Sequence, residues 1–489
     1  MADLGTKAVL RGYPLDGPAD VALEAAIAIA QRTSGLALCS SGPAGRLADE
    51  LYADWLCFGG ACATETHREW PIFPLVAGAL DDILITDPHS DSSSAPVDWD
   101  TIRKSLTERG LIIEDRASQS ALLSGSSLCS VVEIRDNPGK VLAEGKGLTQ
   151  GEALIGVLGE AVERLVAQLP NPNRLFLATA REITAAGLGA PNLTCEARDL
   201  FSPDLPLEWV SAETLSGGAG ALPAELVYYP FQPSTAIKAF SVQHTAGLAA
   251  GNTIAAASAA ALREAIETDA YWLSMRCMRI CSRFDALADA PAPEVRRLVR
   301  SLAEVGVRTH AGLISFDWPV PIVHVVLETV SESLPALSHG LALSADPYVA
   351  LQRALLEAIQ VFTGLEKVSR HYWPEISVGL SRTADPPLLW SDPNYARRIV
   401  EMFENAPPVD LAADTSFAPT LKELAAWMKQ KGMTGWLAHL GSQGGLEVVR
   451  AYIEGGVSAF SERGRPSPRL NDMLSRYGLR FPYLDPVLT

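Results

Sequence analysis

Apolar residues along the chain follow two different periods, and each period predicts a different kind of element. Over residues 151–167, and again over 254–276, apolar side chains recur three and four positions apart, which predicts two long helices. The second pattern continues as far as Phe284, and VDWDTIRKSLTERG predicts a shorter helix that starts at Asp98 or Asp100. LIIED, CSVVEIRD, AELVYYPFQ and VPIVHVVLETV are rich in β-branched and aromatic residues and predict strands.

A polar stretch divides the chain near its first fifth. PHSDSSSAPV, residues 88–97, has no apolar periodicity and predicts a linker. The Ala- and Gly-rich region before it shows helical patterns at 21–32 and 46–55. We therefore predict a small α/β N-terminal region over residues 1–110, followed by an α+β domain over 111–489 in which β-sheets pack against long helices.

Composition and charge exclude several classes of function. The 489-residue chain is 48% hydrophobic, which allows a large core, and its formal net charge of −17 argues against a nucleic-acid surface. The first residues show no basic segment followed by an apolar one, which argues against a secretory signal. The run Thr245–Leu262 holds too many small and polar residues to span a bilayer. We expect a soluble cytoplasmic protein that binds neither nucleic acid nor membrane.

Seven cysteines, an odd number, are typical of reduced thiols rather than of a disulfide framework. Cys57 and Cys62 form one close pair, and the spacing of Cys277 and Cys281 predicts that both lie on one helical face. Either pair could supply half of a zinc site, but no second pair of ligands follows at the usual distance. Buried structural thiols are the expectation for both pairs.

Charged residues recur on one face of both long helices. In GEALIGVLGEAVERL, Glu160, Glu163 and Arg164 stand at positions i, i+3 and i+4 and share a face. LREAIETDA repeats the acidic spacing with Glu264 and Glu267. A single Glu-x-x-Glu pair is usually a solvated helix face, but here two such pairs each follow a Gly-containing entry loop. The Glu-x-x-Glu spacing that both helices share also hints at an internal duplication.

Carboxylates that converge from two helices repel one another unless cations lie between them. Mg²⁺ is bound by one or two carboxylates together with phosphate oxygens and waters. Lys146, in the entry loop GKGLTQG, and Arg164 could contact the phosphates. The residues themselves therefore suggest a site for a metal and a nucleotide.

Five separated stretches, from about Glu114 to the C-terminus, resemble the YcaO family: EGKGLTQGEALIGVLGEAVER, LPAELVYYPF, TAGLAAGNTIAAASAAALREAIETDAYW, GLALSADPYVALQRALLEAIQVFTG and GGLEVVRAYIEGG. The resemblance implies ATP and Mg²⁺ binding and activation of a peptide backbone amide. A Cys, Ser or Thr side chain, an external sulfide or an amine attacks the carbonyl, and phosphorylation of the oxyanion leads to an azoline, thioamide or amidine.

The same resemblance implies a set of site residues. The implied nucleotide-binding residues are Lys146, Glu160, Glu163, Arg164, Asn252, Glu264 and Glu267. Four of them are also the implied magnesium ligands, namely Glu160, Glu163, Glu264 and Glu267. No residue is assigned to proton transfer or nucleophilic catalysis.

The sequence departs from the YcaO pattern at Ala246, which replaces the asparagine of an entry loop, and at four positions of this implied site. Gly156 stands in place of a serine and Ala256 in place of a glutamate, while Thr268 and Phe362 replace arginines. Removing one charged partner from a buried phosphate or metal site costs about 2–5 kcal/mol. The departures therefore put the binding of ATP and Mg²⁺ in doubt and suggest a partly degenerate site.

Three interpretations stay open. In the first, the chain is an azoline-forming cyclodehydratase of ribosomal peptide biosynthesis, and Arg263, Arg276 or Arg279 restores the missing charge. In the second, it is a divergent subunit without ATP turnover that acts as a peptide- or partner-binding scaffold in a modification complex. The third is an unrelated function on the same fold.

The resemblance also implies partners. These are a precursor peptide and other maturation proteins, such as a leader-peptide-binding subunit and a flavin-dependent dehydrogenase, and related proteins also form homodimers. Residues 1–110 exceed the minimal family domain and could contact the peptide or a partner. The ending RFPYLDPVLT carries only two prolines and falls short of the proline-alternating tail of azoline-forming members, so we expect a surface-docked tail.

Overall fold

The computed structural model describes residues 84–85, 97–115, 120, 122–123, 129–136, 141–171, 174–193, 201–232, 243–329, 335–366, 393–409, 418–457 and 467–479. Several predictions concern residues outside these ranges: the helices at 21–32 and 46–55, the Cys57 and Cys62 pair, most of the linker, and the C-terminal tail. They stay predictions.

The described residues form ten helices and fourteen strands. The helices are α1 (Trp99–Glu108), α2 (Gln150–Ala167), α3 (Ala180–Ala185), α4 (Ala224–Val227), α5 (Ile254–Cys277), α6 (Pro293–Glu304), α7 (Pro347–Leu365), α8 (Pro393–Glu404), α9 (Leu421–Gln430) and α10 (Pro468–Arg476). The strands are β1 (Ile112–Asp115), β2 (Ser130–Arg135), β3 (Val141–Gly147), β4 (Leu175–Ala178), β5 (Leu207–Thr214), β6 (Ala219–Pro223), β7 (Leu248–Gly251), β8 (Ser282–Phe284), β9 (Val307–Leu313), β10 (Ile322–Thr329), β11 (Leu337–Leu343), β12 (Pro408–Val409), β13 (Thr434–Gln443) and β14 (Leu446–Glu454).

The strands assemble into three sheets within the described part of the chain. The first has the order β1-β2-β3, the second β11-β10-β9-β8-β12, and the third β4-β5-β13-β14-β7 with β6 paired to β5. Neighbouring strands are antiparallel except for β8 and β12, which pair in parallel. The predicted α+β class is confirmed.

One long helix packs against each sheet. The helix α2 covers β3 and β2, α7 covers β11 and β10, and the Ala-rich α5 packs against β7 and β14 of the third sheet and also against β11. Buried alanines on α5, such as Ala257 and Ala261, let the helix approach the strands closely. The strands β3, β7 and β11 and the long helices that follow them all contribute residues to the wall of one cavity.

Most predicted elements are present, with two corrections. The side chain of Asp98 accepts the N–H of Thr101 at 3.0 Å and begins α1. AELVYYPFQ is not a strand, because β6 ends at Pro223 and the buried residues that follow form the one-turn helix α4. The second long helix ends at Cys277 rather than continuing to Phe284, since Met278 adopts a left-handed conformation with φ of 47°.

The helix α1 was assigned to the N-terminal region, yet it packs against the larger domain. Ile102 and Leu106 of α1 lie in the same core as Val157 and Leu158 of α2. The boundary at residue 110 stays a prediction, although any unit that contains α2 also needs α1 to cover this part of its core.

Among the described residues, no helix combines the length and hydrophobicity required to cross a bilayer.

Candidate functional site

Two strand–helix units of the same design carry the predicted carboxylates. In the first, β3 ends at Gly147 and the hydroxyl of Thr149 accepts the N–H of Glu152 to begin α2. In the second, β7 ends at Gly251 and the hydroxyl of Thr253 accepts the N–H of Ala256 to begin α5. Corresponding residues of the two units are separated by the same number of positions in the sequence. This regularity supports the internal duplication that the sequence hinted at.

Glycine allows each helix to start directly against its own strand. A Cβ atom on Gly147 would lie 2.4 Å from Cβ of Glu152, and one on Gly251 would lie 2.4 Å from the backbone nitrogen of Ala257. A side chain at either position would force helix and strand apart. The close approach directs the next two turns of each helix, and the glutamates on them, toward the same space.

A cavity of about 980 Å³ occupies that space and lies at the upper end of the ~300–1,000 Å³ range of ligand pockets. All seven residues predicted to bind the nucleotide line this cavity: Lys146, Glu160, Glu163, Arg164, Asn252, Glu264 and Glu267. The structure thus brings together residues that are more than 100 positions apart in the sequence.

Backbone hydrogen bonds orient the carboxylates and join the units. Oε1 of Glu163 accepts the N–H of Ala250 on β7 at 2.8 Å, and Oε1 of Glu267 accepts the N–H of Leu343 on β11 at 2.6 Å. Gln360 of α7 completes the ring, because its Nε2 donates to the carbonyl of Glu144 on β3 at 3.3 Å. Each long helix is therefore fixed to the strand of the next unit.

Two ion pairs lie in the wall of the cavity. Nζ of Lys146 contacts Oε2 of Glu357 at 3.0 Å, and Nη2 of Arg164 contacts Oε1 of Glu160 at 2.8 Å. The helix α7 therefore contributes Glu357 and Gln360 to the site, although neither was predicted as a site residue. The stretch GLALSADPYVALQRALLEAIQVFTG had been matched to the family, but it has no Glu-x-x-Glu pair to mark these positions.

Burial raises the pKa of three carboxyl groups in the cavity. It raises the pKa of Glu163 to about 8, with a further contribution from the charge of Glu160. Burial also raises the pKa of Glu267 to about 7, helped by Glu357, and that of Glu264 well above its ordinary range. In the ligand-free chain these groups therefore hold protons near neutral pH.

The pKa of Lys146 is set by neighbouring charges more than by burial. Burial acts to lower its pKa, but the charges of Glu357, Glu160 and Glu267 outweigh burial and raise that pKa. The ammonium group is therefore charged, as contact with a phosphate requires.

The carboxylates alone do not form a metal centre. Among the described residues, no three Asp, Glu, His or Cys side chains lie close enough together to hold a metal ion. Glu160, Glu163, Glu264 and Glu267 line one cavity, but they do not converge on one point. Mg²⁺ needs only one or two carboxylates when phosphate oxygens and waters complete its octahedron, so the donor set fits a metal that arrives with a nucleotide.

Comparison with known proteins decides the family. The family model described as YcaO cyclodehydratase, ATP- and Mg²⁺-binding, matches residues 144–456, which is more than half of the chain. The chain belongs to the YcaO family. A relative from Methanothermobacter thermautotrophicus, itself described as an uncharacterised protein, is 30% identical over 224 residues, which cover 44% of this chain and 56% of that protein.

Solved structures share the YcaO fold at low identity. A heterocyclase in complex with substrate and cofactor has a TM-score of 0.62 at 18% identity, covering 79% of this chain and 56% of that one. YcaO from Methanopyrus kandleri bound with AMPPCP and Mg²⁺ has a TM-score of 0.56 at 20% identity, covering 76% and 92%. The E. coli microcin synthetase McbBCD complex has a TM-score of 0.52 at 15% identity, covering 67% and 84%. This chain therefore spans little more than half the length of the heterocyclase and of the curated relative.

Two of the departures from the YcaO pattern lie in the cavity wall without closing it. At Gly156 the nearest atom to an added Cβ is 3.6 Å away, so the position where the family has serine has room for one. Thr268 turns back on its own helix, because its hydroxyl donates to the carbonyl of Glu264 at 2.8 Å. Gly156 and Thr268 are smaller than the serine and the arginine of the family pattern, so they leave space in the cavity and remove polar atoms from its wall.

The other two departures do not block the cavity either. Ala256 lines it and lies in the first turn of α5, where it replaces a long acidic side chain with a methyl group. Phe362 lies in the apolar core between α7 and β10, together with Val323 and Val325, and is fully buried there. Phe362, which stands where the family has an arginine, therefore does not fill the cavity.

Of the three arginines considered as replacements, only Arg263 lines the cavity, where its charge acts to lower the pKa of Glu267. The suggestion that Arg276 or Arg279 restores the charge is wrong. Arg276 lies over the ring of Trp272 at 5.1 Å, about 20 Å along α5 from Arg263, and Arg279 lies over the ring of Tyr477.

The second cysteine pair also differs from its prediction. Cys277 is the last residue of α5 and Cys281 lies beyond it, so the two thiols do not share a helical face. The left-handed turn at Met278 separates them. Burial raises the pKa of both thiols to about 11, which makes them unreactive.

Proposed function

We propose that this chain is the YcaO-type component of a ribosomal peptide maturation system, and that it uses ATP to activate a backbone amide of a precursor peptide. The observation that carries the proposal is the cavity in which Glu160, Glu163, Glu264 and Glu267 lie beside Lys146 and Arg164. Membership of a family described as ATP- and Mg²⁺-binding supports the same chemistry.

The proposed reaction balances as follows. A Cys, Ser or Thr side chain of the peptide loses its S–H or O–H proton as it adds to the preceding carbonyl carbon, and the carbonyl oxygen takes the terminal phosphoryl group of ATP to release ADP. Phosphate then leaves with that oxygen, and the amide nitrogen loses its proton to form a C=N bond. Peptide and ATP thus give an azoline, ADP and phosphate; an external sulfide or amine would give the thioamide or amidine.

The chain's own residues would bind and orient the reactants. Glu163 and Glu267, fixed by backbone N–H groups, would hold divalent ions, and Lys146 and Arg263 would face phosphate oxygens. When bound, Mg²⁺ supplies charge stabilisation on the phosphoryl oxygens. The 980 Å³ cavity leaves room for a peptide segment beside the nucleotide.

The test is Mg²⁺-dependent ADP formation by the purified protein with a candidate precursor peptide, followed by mass spectrometry of the peptide. We expect the peptide to stimulate turnover and to lose the mass of one water for each azoline. Glu163→Ala and Glu267→Ala should reduce turnover by about two orders of magnitude or more. Undiminished turnover in these variants would exclude the proposed site.

A scaffold without ATP turnover is the second candidate, and two observations favour it. Thr268 and Ala256 remove an arginine and a glutamate from the cavity wall, and no three carboxylates meet among the described residues. This candidate predicts no nucleotide binding but a stable complex with another maturation protein. Purification as a lone monomer that retains no partner would count against it.

The partners and location of the chain follow from the same proposal. We propose a precursor peptide, a leader-peptide-binding subunit and a flavin-dependent dehydrogenase as partners in the cytoplasm, with residues 1–110 in contact with one of them. The fold shared with the E. coli microcin synthetase McbBCD complex supports assembly with other subunits. Co-purification of the tagged full chain with its genomic neighbours tests this part.

A further inference from the structure

The start of α1 contributes an apolar wall to the cavity. Val97 and Trp99 line the cavity together with Ile155 of α2 and Leu446 of β14, and we call these four residues the apolar lip. The family model begins at residue 144. Two of the four lip residues therefore come from a part of the chain that the family model does not cover.

Packing contacts hold α1 against the larger domain, and with it the lip. Trp99, Ile102 and Leu106 are spaced by three and four positions and share one face of α1. Ile102 and Leu106 are buried in a core that also contains residues of α2 and β14. A Cβ atom on Gly444 would lie 2.7 Å from Cγ1 of Ile102, so the turn between β13 and β14 packs closely on α1. Trp99 thus lies at the cavity end of an anchored helix face.

The lip lies where the cavity opens to solvent. Ile155 is 46% exposed and the next residue, Gly156, is also exposed, while Glu160 and Glu163 further along α2 are only partly exposed. All four residues line the cavity. The cavity therefore becomes more enclosed along α2, from the lip toward the carboxylates.

Two glycines leave a recess beside Ile155. Gly156 and Gly159 both line the cavity and are three positions apart on α2, so they share a face of the helix. The nearest atom to an added Cβ is 3.6 Å away at Gly156, and nothing lies within 4 Å at Gly159. Part of the helix surface next to the lip therefore carries no side chains, and a side chain of a ligand has room to lie there.

The position and the chemistry of the lip favour a peptide as its ligand. A peptide extends beyond the activated amide on both sides, so the residues next to that amide must cross the opening of the cavity. An apolar side chain gains free energy when the lip removes it from water, whereas a polar side chain loses hydrogen bonds to water. A nucleobase fits less well, because its amino group needs an acceptor and the lip side chains offer only one polar group, the indole N–H donor of Trp99.

We infer that the apolar lip binds an apolar side chain of the precursor peptide, next to the residue whose amide is activated. The inference rests on the proposed function for the reaction and names the class of peptide: one with an aliphatic or aromatic residue beside the modified Cys, Ser or Thr. Val97, Trp99, Ile155 and Leu446 are then specificity-determining residues, since they contact the flanking residue and not the reacting atoms.

The experiment measures binding of three probes to the full chain by saturation-transfer NMR. Two are synthetic peptides, acetyl-Gly-Leu-Cys-Leu-Gly-amide and acetyl-Gly-Asn-Cys-Asn-Gly-amide, whose flanking side chains differ in polarity but little in size; the third is adenosine. The variants are Trp99→Ala and Ile155→Ser. The matched control is Leu177→Ser on β4, which removes another exposed apolar side chain from outside the cavity wall.

We expect wild type to bind the leucine peptide about 10-fold more tightly than the asparagine peptide, because only leucine gains from burial at the lip. Trp99→Ala and Ile155→Ser should each weaken binding of the leucine peptide about 5- to 10-fold, and the control should match wild type. Should Trp99→Ala not fold, Ile155→Ser decides, since Ile155 is exposed and contributes little to the core.

The outcomes separate this inference from the proposed function. Equal affinity of wild type for the two peptides, or unchanged binding of the leucine peptide by Ile155→Ser, overturns the inference. If the variants weaken only the binding of adenosine, the lip is a nucleobase site and the inference is wrong, while the nucleotide site stands. If the leucine peptide binds through the lip but ATP with Mg²⁺ does not bind, the lip stands as a peptide site and the proposed use of ATP fails.

Discussion

At the scale of single residues, the proposed binding of a divalent ion in the cavity would be coupled to the release of protons. Burial raises the pKa values of Glu163, Glu264 and Glu267 because water no longer solvates their charged forms fully. A divalent ion stabilises the charged carboxylates and displaces their protons. The proposed metal binding should therefore depend on pH near neutrality.

The same pKa values predict how stability depends on pH in the absence of ligand. With folded-state pKa values of about 8 for Glu163 and about 7 for Glu267, against an ordinary value of 4.5, the folded chain holds more protons than the unfolded chain up to about pH 8. The free energy of unfolding then falls as pH rises. Burial lowers the pKa of His324 from 6.5 to about 3, which acts in the opposite direction but only below about pH 6.5.

We therefore expect the thermal midpoint of the ligand-free protein to fall between pH 6.5 and pH 8, as measured by circular dichroism. Glu163→Gln should flatten this fall because it removes one of the titrating groups. Glu108→Gln is the matched control, since Glu108 is exposed on α1 and pairs at 3.9 Å with the exposed Lys104. A midpoint that rises over this pH range would contradict the account.

At the scale of single residues, the sequence predicted site residues where a motif repeats and did not predict them elsewhere. The Glu-x-x-Glu spacing on two helices marked the acidic residues that the cavity brings together, while their role in binding stays a prediction. Glu357 and Gln360 were not among the predicted site residues, although the stretch that carries them was matched to the family, because they do not belong to a Glu-x-x-Glu pair. Only the fold shows that their side chains reach the same space.

At the scale of elements, glycines in strands set the distance between strand and helix. A Cβ atom on Gly145 of β3 would lie 2.0 Å from the carbonyl oxygen of Ala153 and 2.4 Å from the nitrogen of Val157, both backbone atoms of α2. Gly340 of β11 meets α7 in the same manner, 2.0 Å from the carbonyl oxygen of Ala354. These contacts seat the helices so that their charged faces border the cavity.

Gly145→Ala should therefore lower the free energy of unfolding by about 3 kcal/mol, because neither backbone segment can move without disturbing the sheet. Gly159→Ala on α2 is the control: nothing lies within 4 Å of its added Cβ, so alanine should raise the free energy of unfolding by about 0.5–1 kcal/mol. Urea denaturation measures both. Equal effects of the two substitutions would show that the close approach at Gly145 does not matter.

Helices and strands with a single clear period of apolar residues could be predicted from the sequence. Elements whose conformation depends on neighbouring segments could not. The helices α2 and α5 follow from their apolar spacing, and β10 follows from VPIVHVVLETV. AELVYYPFQ has strand-like composition, but Ala224–Val227, all of them buried, form a helical turn. The end of α5 depends on the left-handed Met278, for which the sequence offers no glycine as a signal.

At the scale of the whole molecule, three sheets meet at the cavity, and a separate buried ion cluster attaches the last described helix. Asp269 of α5 accepts hydrogen bonds from Nη1 of Arg469 at 2.6 and 2.5 Å, from the Trp318 indole at 2.7 Å and from the N–H of Val457 at 2.6 Å. Arg469 also binds Asp317. The cluster ties α10 to the same helix that carries Glu264 and Glu267.

Arg469→Met should lower the free energy of unfolding by about 3–5 kcal/mol, because it leaves the charge of Asp269 buried and unpaired. Arg476→Met is the matched control on α10, since Arg476 makes an exposed pair with Asp472 and should change stability by less than about 0.5 kcal/mol. Guanidinium denaturation of the two variants tests the difference. A loss of similar size in both would mean that the buried cluster is not what holds α10.

The central claim is that Glu163 of α2 and Glu267 of α5, which line one cavity, hold divalent ions that arrive with a nucleotide. The most direct measurement is calorimetric titration of the full chain with a non-hydrolysable ATP analogue, with and without Mg²⁺, for wild type and for Glu163→Gln. The account predicts binding by wild type that requires Mg²⁺ and weakens by about two orders of magnitude or more in Glu163→Gln. Binding that is independent of Mg²⁺, or unchanged in Glu163→Gln, would contradict it.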